Sequence, residues 1–103
     1  MSFEVQRAIS AQHPSLPGHF PGNPIVPGVV ILDEVVTALG EWRDDYRLTR
    51  ISAVKFLAPL KPEQSFTIVF STLDPCEGRF DFFCRTGDRI VVQGRLEADR
   101  RPS

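Results

Sequence analysis

The chain has 103 residues, 42% of them hydrophobic and 24% charged, and a formal net charge of -1. This suits a single folded domain, residues 1–103, and excludes disordered and fibrous classes; the near-neutral charge argues against a nucleic-acid partner. No apolar run reaches the roughly 18 residues needed to cross a bilayer. The start Met1-Ser-Phe-Glu-Val-Gln-Arg7 lacks the basic and apolar regions of a secretory leader, so no membrane insertion and a cytoplasmic location are expected.

The segment from Phe3 to Ile9 is a candidate first strand. Five of the nine prolines then fall within fourteen residues, at Pro14, Pro17, Pro21, Pro24 and Pro27, beside Gly18, Gly22 and Gly28. Proline lacks the amide donor and fixes φ, so neither a helix nor a central strand tolerates that density. A stiff loop is expected here, and its apolar residues Leu16, Phe20, Ile25 and Val26 suggest a surface that is held in place and used.

Gly28 to Trp42 has helical periodicity. At 100° per residue, Val29, Ile31, Leu32, Val35, Val36, Ala38, Leu39 and Trp42 cover more than half the circumference. Asp33, Glu34, Thr37 and Glu41 fill the remaining arc, with Val30 among them. A helix this apolar is expected to be largely wrapped by the rest of the protein. The proline-glycine start suits a first turn, and Gly40 lies near the end. Asp33 falls at the border of the two arcs, where a residue facing a half-buried channel would sit; Glu34 is expected to be solvated.

From Thr49 onward the period changes to two. Ile51 to Phe56 is a candidate strand, followed by three clearer alternations: Phe66, Ile68, Phe70; Phe80, Phe82, Cys84; and Ile90, Val92, Gly94, Leu96, Ala98. Such one-sided patterns belong to an antiparallel sheet covered on one face. Turn residues at Asp74-Pro75-Cys76-Glu77-Gly78 and Thr86-Gly87-Asp88 separate them. The tail from Arg100 to Ser103 is expected to fray. One helix cupped in a curved antiparallel sheet, an α+β fold, accounts for the order of elements. Cys76 and Cys84 are expected as free thiols, and with only His13 and His19 beside them no metal site is expected.

The loop and helix together read His19-Phe-Pro-Gly-Asn-Pro-Ile-Val-Pro-Gly-Val-Val-Ile-Leu-Asp33. This resembles the signature of the 3-hydroxyacyl-[acyl-carrier-protein] dehydratases of the hot-dog fold superfamily. It keeps their His-Phe-x-Gly-x-Pro-x-x-Pro-Gly skeleton, with an acid fourteen positions after the histidine. Val54-Lys-Phe-Leu-Ala-Pro-Leu-Lys-Pro62 is similar to a strand segment of the same family. Two departures are visible: Glu34 follows the acid directly, and Thr37 stands where the family commonly has glutamine. The Asn-Pro and Val-Pro-Gly variants are similar to smaller members serving specialised lipid or polyene pathways.

The resemblance implies removal of water from a 3-hydroxyacyl chain carried on acyl carrier protein through phosphopantetheine. The chemistry suits the residues. A base of near-neutral pKa takes the α-proton, a carboxyl group delivers a proton to the departing hydroxyl, and an amide at a helix N-terminus steadies charge on the thioester oxygen. By resemblance His19 is the base, Asp33 the acid or water-orienting group, and the Gly28 amide the oxyanion donor, with Phe20, Pro27 and Val29 against the substrate. A homodimer or higher oligomer is implied, His19 of one subunit facing Asp33 of the other, and no cofactor is implied. Pairing of exposed sheet edges would favour the dimer independently. Ten of the twelve basic residues are arginines, which suit an acidic carrier or its phosphate. The alternatives are a hot-dog thioesterase using Asp33 or Glu34 to activate water, and a non-catalytic acyl-binding hot-dog subunit. Each residue also has a structural alternative: His19 as an ordinary loop histidine, Asp33 as a solvated aspartate, the phenylalanines as core.

Overall fold

The computed structural model describes residues 2–12, 25–74 and 78–101. His13, His19, Phe20, Leu16, Gly18, Gly22, the prolines from Pro14 to Pro24, and Cys76 lie outside these residues. Among the described residues the order is β1 (Ser2–Arg7), α1 (Gly28–Trp42), β2 (Tyr46–Phe56), β3 (Phe66–Asp74), β4 (Arg79–Thr86) and β5 (Arg89–Arg100). The strands form one sheet, ordered β1-β3-β4-β5-β2, antiparallel throughout. β3, β4 and β5 are consecutive hairpin neighbours, while β1 and β2 are added at the two edges. The helix lies between β1 and β2 in sequence and packs on one face of the sheet, the hot-dog arrangement.

The period-two reading explains which face carries the helix. Register places Ile68 opposite Cys84 and Cys84 opposite Val92, and Phe80 opposite Leu96. These residues, with Phe66, Phe70 and Phe82, are buried in one cluster with Val30, Ile31, Val35, Ala38 and Leu39 of α1. Full burial of Phe66, Phe70 and Phe80 stabilises the fold by about 2 to 3 kcal/mol each relative to exposure.

Three details depart from the sequence reading. A register shift between Cys84 and Arg85 on β4 turns the start of β5, so Val91 is buried and Ile90 is exposed, the reverse of a strict alternation. On the helix the arcs shift in the first turn: Val29 is 67% exposed and Val30 buried. Val30 shares its cluster with Ile9, Val26 and Leu60, so connecting segments close over the first turn on the side expected to be polar. The wrapping of the helix is thus incomplete, with Val29, Asp33 and Gly40 exposed along one stripe. Glu34 is not simply solvated either. Arg7 of β1 pairs with it at 3.5 Å and also bonds Glu41.

The C-terminal end of α1 is closed by an aromatic corner. The Trp42 ring stacks on Phe3 at 5.5 Å and Phe70 at 5.6 Å, and meets Phe80 edge-on at 5.7 Å. Arg43 lies over Tyr46 at 4.7 Å and donates to both oxygens of Asp45 at 3.1 Å. That hydrogen-bonded pair holds the Asp45 carboxyl below its ordinary value. Arg100 belongs to β5, and the Arg101 amide donates to the Asp45 carbonyl at 2.7 Å while its Nε donates to the Tyr46 carbonyl. The chain through Arg101 is therefore pinned rather than frayed.

Cys84 sits under the helix, and burial pushes its thiol up to about 12. The thiol therefore stays protonated and unreactive near neutral pH. Cys84 will resist alkylation in the folded protein and react once denaturant is added, as peptide mass mapping would show; modification at the folded-state rate of a free surface thiol would contradict its burial.

Candidate active site

The N-terminal end of α1 is formed by Pro27 and Gly28. Pro27 takes the N-cap position at φ −60° and ψ 143°, and its carbonyl accepts the Val30 amide at 3.0 Å and the Ile31 amide at 3.4 Å. No side chain caps the helix, and its first turn holds no acidic residue. Among the described residues the Gly28 and Val29 amides find no backbone partner. They therefore present the positive end of the helix dipole, suited to an oxygen carrying negative charge.

Gly28 lets the Phe56 ring approach closely here. A Cβ at this position would lie 2.6 and 2.7 Å from carbons of the Phe56 ring, well inside van der Waals contact. Glycine lets the aromatic ring of β2 come directly against the helix start. Beside it opens a groove of about 470 Å³ lined by Val26, Gly28, Ile31, Phe56, Leu57 and Leu60. The lining is apolar, so the groove suits a hydrocarbon chain.

Asp33 is exposed on the helix surface. It lies four residues after Val29, about 40° around the axis and about 6 Å along it, so the two share the open stripe. Among the described residues it forms no ion pair, while Glu34 and Glu41 are both engaged by Arg7. This separates the two adjacent acids: Glu34 is tied to β1, Asp33 stands clear.

The chain between β2 and β3 grips what flanks the proline-rich stretch on either side. The Val26 amide donates to the Leu60 carbonyl at 2.8 Å. The Glu63 amide donates to the Ile9 carbonyl at 2.8 Å, and the Ala11 amide donates to Glu63 Oε1 at 2.6 Å. Of the residues expected at the site, Pro27, Gly28 and Val29 are brought together at the helix start, Asp33 lies a turn further on, and His19 and Phe20 are outside the described residues. Sequence reasoning missed the parts played by Phe56 and Glu63. Phe56 lay inside a segment already singled out, but only the fold brings it to Gly28.

A second groove of about 400 Å³ borders Lys55, Asp81, Phe83, Gln93 and Arg95. Within it Arg95 Nε donates to Asp81 Oδ1 at 3.0 Å, and it does not include the helix start. Among the described residues no three His, Cys, Asp or Glu side chains cluster to hold a metal ion. No described helix is long and apolar enough to cross a membrane.

Comparison with known proteins fits this geometry. The chain is 33% identical over 93 residues to the 3-hydroxyacyl-[acyl-carrier-protein] dehydratase FabZ of Klebsiella pneumoniae, covering 90% of this chain and 52% of that protein. It thus spans about half the length of the curated relatives it matches. Among solved structures it is similar to the dehydratase heterocomplex ApeI:P from Xenorhabdus doucetiae, with a TM-score of 0.82 and 24% identity over 96% of this chain and 88% of that one. It also shares its fold with Slr0204, a 1,4-dihydroxy-2-naphthoyl-CoA thioesterase from Synechocystis, at a TM-score of 0.69 and 12% identity over 99% and 85% of the two chains. The family model of ApeI dehydratase matches residues 1–95, and the chain accordingly belongs to the ApeI-like dehydratase family.

Proposed function

We propose that this protein removes water from a 3-hydroxyacyl thioester carried on acyl carrier protein, giving the trans-2-enoyl thioester, in fatty acid or related lipid or polyene synthesis in the cytoplasm. The observation that carries the reading is the helix start at Gly28, uncapped among the described residues, placed over an apolar groove and about a turn from the Asp33 carboxyl group. The acyl chain lies along Phe56 and Leu57, with Phe20, Pro27 and Val29 against the substrate near its thioester. The thioester oxygen accepts from the Gly28 amide. Negative charge developing there as the α-proton leaves is then stabilised by a fixed dipole rather than by mobile water. His19 takes the α-proton, and Asp33 gives a proton to the departing hydroxyl or orients the water formed.

We infer a homodimer as the working unit. Among the described residues β2 has a strand neighbour on one side only, and Val54, Phe56 and Leu57 beside that edge are 41%, 49% and 45% exposed. Val29 adds to the same exposed apolar character at the helix start. A second copy pairing along β2 would cover these residues and satisfy the edge.

The test is incubation of the full chain with 3-hydroxyacyl and trans-2-enoyl carrier thioesters, following enoyl absorbance and free thiol together. Reversible interconversion without thiol release is expected. Thiol release without enoyl formation would make the protein a thioesterase. Binding of the acyl carrier with neither reaction would leave a non-catalytic subunit.

A further inference from the structure

Glu63 has a φ of +66°, and among the described residues it is the sole non-glycine in the left-handed region. An L side chain adopts that conformation at a cost that glycine avoids. The turn around it is closed without its help: the Gln64 amide donates to the Lys61 carbonyl at 3.3 Å, and the Lys61 amide donates to Gln64 Oε1 at 3.1 Å. The position would therefore be better filled by glycine unless the Glu63 side chain has a task. Its carboxylate accepts the Ala11 amide at 2.6 Å, while its own amide holds the Ile9 carbonyl. Ile9 is buried and Ala11 is exposed, so the core fixes the first contact and, among the described residues, the Glu63 carboxylate carries the hold outward to Ala11. Three residues earlier, Leu60 holds Val26. One connecting segment thus grips the chain both before and after the stretch that contains His19.

We propose that Glu63 is a positioning residue. It accepts local backbone strain in exchange for a tether on Ala11, and so restricts the approach of the chain to the histidine. The proposal rests on the dehydratase reading for its effect on turnover, but the tether itself does not.

Two variants separate the task from the strain. Glu63→Gly relieves the backbone and removes the acceptor, whereas Glu63→Gln keeps both the strain and an acceptor oxygen. Glu63→Gly is expected to melt at or above the wild-type temperature. Its amide exchange, measured by mass spectrometry over peptides covering residues 8–24, will be faster, and kcat for dehydration will fall about tenfold with KM little changed. Glu63→Gln will restore both exchange and kcat. Unchanged exchange in Glu63→Gly would overturn the tether, whatever the protein's activity. Faster exchange with undiminished kcat would overturn the positioning role, and a large drop in melting temperature would make Glu63 a residue of general stability instead. Should the wild type itself not dehydrate these thioesters, the proposed reaction fails on its own, and faster exchange in the glycine variant still upholds the tether.

Discussion

His19→Ala will lower kcat for interconversion of 3-hydroxyacyl and enoyl thioesters about a thousandfold, and Asp33→Asn about a hundredfold, with thermal midpoints unchanged. The asymmetry follows from the chemistry. In the proposed roles the His19 imidazole is the group suited to take the α-proton, whereas asparagine at position 33 can still orient a water but cannot deliver a proton. Mixing the two variants tests the dimer at the same time. If each site combines His19 of one subunit with Asp33 of the other, a mixed dimer regains one intact site of its two. After random exchange of subunits the mixture will then recover about a quarter of wild-type activity. Recovery limited to the residual activity of the two variants would place both residues in one subunit or remove one from the reaction. Steady-state rates before and after unfolding and refolding the mixture measure the difference.

Gly78→Ala is expected to be the most damaging single-methyl change in the fold. Gly78 precedes β4 at φ +65°, its carbonyl accepts the Ala98 amide at 2.8 Å, and a Cβ there would overlap the Ala98 carbonyl oxygen. A flexible side chain could move away, but a main-chain oxygen within a five-stranded sheet cannot. Left-handed strain costs about 1 kcal/mol and forced overlap about 2 more. The sum of about 3 kcal/mol corresponds to a fall in melting temperature of about 15 °C for a domain of this size. Gly87→Ala is the internal control, because Gly87 has φ +57° with nothing within 4 Å of a Cβ. It will lose only the conformational part, about 1 kcal/mol. Equal losses in the two variants would show that the Ala98 contact is not restrictive; calorimetric scans of both decide it.

The elements were legible because their periods differ so clearly. Phe66, Ile68 and Phe70 can alternate only as a strand, and Ile31, Val35, Ala38 and Leu39 recur only as a helix. The position of Gly28 at the helix start could also be read from the chain, since Pro27 fixes φ where a helix can begin. What escaped depends on contacts distant in sequence. Val30 and Val29 exchange their expected exposure because segments around Ile9 and Leu60 close over one side of the first turn. Glu34 is occupied because Arg7, on the far edge of the sheet, reaches it. Phe56 meets Gly28 across nearly thirty residues of chain, and no local pattern specifies that approach. The Ile90–Val91 reversal needs a register shift against β4, which a single strand's alternation does not reveal.

The strand order has a further consequence. β3, β4 and β5 pair with neighbours in sequence, so their three-stranded core closes only short loops. Joining β1 to β3 brings Ser2 beside Ser71, and joining β2 to β5 brings Tyr46 beside Arg100; both closures are long and entropically costly. His19, Gly28 and Asp33, the residues proposed for the chemical step, lie on the chain between β1 and β2. The local contacts of the meander can therefore form early on the folding route while the reactive groups are still unassembled, and turnover reports the final long-range closures rather than collapse of the core.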